Sequence, residues 1–187
     1  MTLQRLLIII FMLTIILFGC NFLNQEKDDI HNGSSGTLVI NEFLASNSTI
    51  LADEHGDFDD WVEIYNQSDE SINIGGMYIW GDPEDTIPFQ IPDTDPFLTT
   101  VASKDFILLW FDRDSHQGAL HIENKLSIEG DGESIILIDR DGETIIDSYE
   151  FVQQYTDIST GRFPDGSNNW VSFKKPTPGS SNHLTEF

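Results

Sequence analysis

Apolar and polar residues alternate through Asp60-Trp61-Val62-Glu63-Ile64-Tyr65-Asn66, with Val62, Ile64 and Asn66 on one face and Trp61, Glu63 and Tyr65 on the other. A period of two, filled with β-branched and aromatic residues, predicts a half-buried strand. The same pattern predicts strands over residues 37–43, 71–74, 77–80, 87–92, 104–111, 121–128, 134–139, 143–149 and 169–173. Residues 104–111 are the most continuous apolar run after the leader, which predicts a strand covered on both faces. Pro88 and Pro92 predict an edge position for 87–92, because proline cannot donate to a ladder. Asp141-Gly142 between two β-branched runs predicts a hairpin. No helical pattern of ten residues follows the leader, and residues 45–60 and 93–103 read as long polar connections.

Short strands separated by turns at this spacing predict an all-β, antiparallel sandwich or barrel of immunoglobulin type. The chain of 187 residues is long enough for one such domain and an anchor. Its first 19 residues place Arg5 before an apolar run from Leu6 to Phe18, the pattern of a secretory signal peptide. That run is shorter than the ~20 residues that span a bilayer. Leu17-Phe18-Gly19-Cys20 resembles a bacterial lipobox, which implies cleavage after Gly19 and lipidation of Cys20. The membrane is then a partner of the mature protein. Asn21 resembles the default outer-membrane sorting residue, and Gln25-Glu26-Lys27-Asp28-Asp29 is similar to a surface-export signal. The expected organisation is a signal peptide over 1–19, a tether over 20–36, a domain over 37–182 and a tail over 183–187. As a random coil the tether would reach roughly 22 Å.

Charge narrows the partners. There are 9 Lys+Arg against 32 Asp+Glu, a formal net charge of −23. Binding to nucleic acid needs basic side chains to neutralise phosphates, so no nucleic-acid partner is expected. Cys20 is the only cysteine, which excludes an intramolecular disulfide and a cysteine-based zinc site.

Three constellations carry candidate chemistry. Asp53, Asp57, Asp59 and Asp60 crowd a turn around Gly56 and offer oxygen donors for calcium, the one cofactor this sequence proposes. The competing reading is a solvated turn whose carboxylates cap backbone N–H groups. Glu42 and Glu63 fall on adjacent strands, where two carboxylates would serve either as an acid–base pair or as hydrogen-bonded scaffold. Arg162 is one of few cations and predicts a structural ion pair with a carboxylate, with Glu42 and Glu63 as its candidates. The five histidines show no His-x-x-x-His spacing, although His116 and His121 share a loop region and leave a zinc site open, and Trp61, Trp80, Trp110 and Trp170 read as core, Trp80 being the most exposed.

Leu38-Val39-Ile40-Asn41-Glu42, Asp60–Asn66, Ile74-Gly75-Gly76-Met77-Tyr78-Ile79, Phe106–Trp110, Gly132–Asp139, Gly161-Arg162-Phe163-Pro164-Asp165-Gly166 and Thr177–Asn182 follow one another in a fixed order. This series resembles the bacterial branch of the lamin tail domain family. The resemblance implies an immunoglobulin-like β-sandwich without catalytic activity. The expected function is therefore a non-enzymatic, lipid-anchored module of the envelope that binds an unidentified protein or glycan. A calcium-binding adhesion module and a carboxylate-dependent hydrolase are the alternatives.

Overall fold

The computed structural model describes residues 36–81, 87–123 and 133–184. Cys20, the signal peptide and the tether up to residue 35 lie outside them. No helix among the described residues is long and apolar enough to cross a membrane.

The strands are β1 (Leu38–Leu44), β2 (Asp60–Asn66), β3 (Ile72–Asn73), β4 (Tyr78–Trp80), β5 (Phe89–Gln90), β6 (Thr100–Val101), β7 (Phe106–Phe111), β8 (His121–Ile122), β9 (Glu133–Ile138), β10 (Ile145–Phe151), β11 (Ser159–Arg162) and β12 (Trp170–Phe173). Six of them form one sheet in the order β12-β11-β1-β2-β7-β8. Four form the second, in the order β10-β9-β4-β5, and β3 pairs with β6. All pairs are antiparallel except β7 with β8. The inner faces meet in one apolar cluster to which Ile40, Val62 and Leu109 contribute from the first sheet and Ile79, Ile135 and Leu137 from the second. This is the immunoglobulin-like sandwich that the alternation predicts.

The first strand departs from simple alternation. The register of β1 on β2 slips between Ile40 and Glu42, so Asn41 is the extra residue of a β-bulge. A bulge keeps two neighbouring side chains on one face. Ile40 and Phe43, three positions apart, therefore both enter the core, while Asn41 and Glu42 both reach side chains on the outer face. Without the slip, Phe43 would point outward and Glu42 inward. A second bulge lies between Ile145 and Asp147 of β10.

The outer face of the large sheet is covered as well. Ile50 and Leu51, from the connection that reads as polar, pack on Leu44, Trp61 and Trp110. Asn47 staples that connection by donating to the carbonyls of Leu51 and Asp59 at 2.6 and 2.9 Å. Trp61 and Trp110 are buried, whereas Trp80 and Trp170 are both half-buried. Asp95 caps a one-turn helix, α1 (Pro96–Thr99), inside the segment expected to be loop. The Asp139–Thr144 turn joins β9 to β10 as the sequence predicts, and Gly142 takes the left-handed conformation there (φ +75°) that glycine tolerates best.

Candidate functional site

The outer face of β1 and β2 holds the first polar group. Glu42 and Glu63 sit opposite one another in register and neither is solvent-exposed. Glu63 accepts from Asn41 Nδ2 at 3.0 Å and from the Gly179 backbone N–H at 2.7 Å. Glu42 accepts from the hydroxyls of Ser159 and Thr177 and from the Thr177 backbone N–H. Both carboxyls clasp the C-terminal segment onto the sheet. Sealed from solvent, they have no route to a dissolved substrate in this arrangement, so the geometry favours scaffold over an acid–base pair.

Burial pushes the Glu63 carboxyl up to about 8, against the hydrogen bond from Asn41 and with the charge of Glu42 adding to the rise. Burial likewise raises Glu42. The native state thus holds a proton on Glu63 that the unfolded chain releases near the ordinary glutamate value. Stability from this group is full below that value and is lost as pH rises towards about 8. Its slope is roughly 1.4 kcal/mol per pH unit. Urea titrations of the wild type between pH 5.5 and 8.5 are expected to show a falling midpoint, and Glu63→Gln is expected to flatten that fall. Equal slopes for the two proteins would refute the buried proton.

Arg162 pairs with neither glutamate. Its Nη2 donates to both oxygens of Asp147 at 2.9 and 3.2 Å, its Nε to the Ile40 carbonyl, and its Nη1 to Ser167 and Asn168. The guanidinium also lies 4.6 Å over the ring of Trp170. Asp147 Oδ2 in turn accepts from the Ile40 N–H at 2.8 Å. The expected partners were wrong because the two glutamates point to the outer face. Asp147 reaches Arg162 from the facing sheet, and the pair bridges β10 to the Ile40 backbone of β1.

The acidic turn contributes the second group. Asp60 of β2 stands in register with Phe111 of β7, and Trp110 of β7 with His121 of β8. The turn before β2, the residue after β7 and the start of β8 must therefore meet at one end of the sheet. Asp53, Asp112 and His121 each present a ligand atom there within 4.8 Å of the others. His121 Nδ1 lies 2.5 Å from Asp112 Oδ2, and Nε2 lies 3.2 Å from Glu54 Oε1. Burial would lower the His121 imidazole, but the hydrogen bonds and charges of Asp112 and Glu54 outweigh it and hold the ring above its ordinary value. Asp59 is raised by burial and by its neighbours Asp112, Asp53 and Asp57.

Asp53 shapes the turn itself. Its Oδ1 accepts from the N–H groups of His55 and Asp57, both at 2.9 Å. Burial would raise its carboxyl, yet these bonds hold it below the usual range. Of the four residues read as calcium donors, Asp53 and Asp59 approach His121 and Asp112. Asp57 is exposed, and Asp60 accepts from the Asn47 N–H at 3.1 Å. His121 and Asp112 escaped the spacing argument because they come from separate strands. Only the strand register brings them to the turn.

The sequence profile described as Lamin Tail Domain matches residues 31–153. No curated protein matches the chain.

Proposed function

Because the chain belongs to the lamin tail domain family, we propose that it works as a non-enzymatic binding module, held on the bacterial envelope through a lipidated Cys20, with a protein or a glycan as its partner. The observation that carries this reading is the apolar pair on α1. Phe97 is 90% exposed, and Leu98 beside it is also exposed. Large aromatic side chains held in solvent on a capped turn are typical anchors of recognition surfaces. The sealed state of Glu42 and Glu63 supports the same reading, since the most enzyme-like carboxylates are committed to the scaffold. The outer membrane, with its outer face, is the proposed location, in keeping with Asn21 and the acidic tether.

Calorimetric titration of the purified chain with envelope polysaccharides and with solubilised envelope proteins tests the proposal. A saturable interaction weakened at least tenfold by Phe97→Ser/Leu98→Ser is expected, and Cys20→Ser is expected to move the chain from the membrane fraction to the soluble one. Catalytic turnover of a glycoside, ester or phosphoester by the pure protein would overturn the module reading. Membrane retention of the Cys20 variant would overturn the anchor.

A further inference from the structure

We propose that Asp53, Asp112 and His121 form a binding site for a divalent transition-metal ion of the zinc or manganese type. The site stands independently of the binding-module reading. Three observations carry it.

The first is the donor set. Two carboxylates and an imidazole offer ligand atoms within 4.8 Å of one another. A metal at about 2.1 Å from each donor places a tetrahedral set about 3.4 Å apart, so the widest pair closes by at most about 1.4 Å, while the 2.5 Å hydrogen bond between His121 Nδ1 and Asp112 Oδ2 opens as the ring gives up its proton to solvent. The second is an unsatisfied oxygen. Asp53 is only 8% exposed, yet its Oδ2 has no hydrogen-bond partner, while Oδ1 is already committed to the turn. A buried carboxylate oxygen without a donor is costly, and a cation removes that cost. Asp59 Oδ2 close by is buried and unpartnered too, which makes Asp59 the next available ligand. The third is the support. His121 is 1% exposed at the start of β8, and Asp112 follows directly on β7, so two of the three donors stand on the sheet rather than on a free loop.

The imidazole decides the class of metal. Calcium takes oxygen donors almost exclusively, whereas nitrogen mixed with carboxylate suits zinc and its first-row neighbours. A second triad, Glu54, His55 and His121, shares the histidine but draws its other two donors from the exposed rim. The unpartnered oxygen of Asp53 favours the inner set. Bound there, the ion would tie the turn over residues 53–59 to the ends of β7 and β8.

The full-length chain, stripped with chelator, is titrated with zinc chloride, manganese chloride and calcium chloride. Melting temperature and heat are followed together with the ring nitrogen resonances of His121. Zinc is expected to bind one to one, to raise the melting temperature and to shift the His121 resonances. Asp53→Asn keeps an oxygen for the turn and removes the free one, so it is expected to weaken zinc at least tenfold. His55→Gln is expected to change affinity less than twofold. The resonance shift is read on the wild type, so the proposal stays testable if the Asp53 variant folds poorly. Failure of both zinc and manganese to bind the folded protein would overturn the site. Binding of calcium alone would overturn the metal class. Loss of zinc in His55→Gln with retention in Asp53→Asn would overturn the ligand set.

Discussion

A chain ended after Gln153, where the family match stops, is expected to lose its cooperative native state. The truncation removes β11 and β12, and with them the strand that covers the far edge of β1. It also strips partners from three buried carboxyls at once. Asp147 loses the guanidinium of Arg162, Glu42 loses Ser159 and Thr177, and Glu63 loses the Gly179 N–H. Each polar group left unpaired that stays buried costs about 1–3 kcal/mol, and an uncompensated buried charge costs more. Set against a typical total stability of roughly 5–15 kcal/mol, these losses consume most or all of it. The core suffers as well, because Trp170 stacks on Tyr149 at 3.6 Å and closes the aromatic group around Phe43. Near-ultraviolet circular dichroism and urea unfolding of the truncated chain are the measurement. A sharp transition at the full-length midpoint would show that the C-terminal segments are accessory rather than part of the fold.

Those same segments mark where the sequence was legible and where it was not. Asp60–Asn66 and the β9–β10 hairpin were readable because each announces itself locally, the one by strict alternation, the other by Asp-Gly between β-branched runs. Residues 159–162 carry no such pattern. Gly161 has to be small because the strand runs against the backbone of β1, where a Cβ would come within 2.8 Å of the Asn41 carbonyl oxygen. That constraint lies in the partner strand, so no window around Gly161 reveals it. The bulge at Asn41 was hidden for a related reason. Val39 to Glu42 fits an ordinary strand, and only the placement of Phe43 in the core requires the slip. The candidate site was half legible. Local crowding of acids pointed to the turn, whereas His121 and Asp112 arrive through the register of β7 with β2 and β8.

Arg162→Met is expected to destabilise the protein by about 3–5 kcal/mol, the usual cost of leaving one member of a buried ion pair alone. For a domain of this size that corresponds to a fall of roughly 6–20 °C in melting temperature. Asp147→Leu is expected to cost a similar amount by stranding the guanidinium. The informative protein is the double variant. Many buried ion pairs can be exchanged for apolar residues at no loss, because the desolvation of two charges is avoided. Here the exchange cannot be neutral. Asp147 Oδ2 takes the Ile40 N–H and Arg162 Nε serves the Ile40 carbonyl, two backbone groups that face away from β2 in the antiparallel alternation. An apolar pair fills the volume and leaves both groups buried without a partner. The double variant is therefore expected to recover part of the loss and to stay about 2 kcal/mol or more below the wild type. Loss of the Trp170 contact adds to that deficit. Thermal and urea unfolding of all four proteins in one double-mutant cycle gives the comparison. A double variant as stable as the wild type would mean that the pair serves only itself, and that the Ile40 backbone groups are satisfied without it.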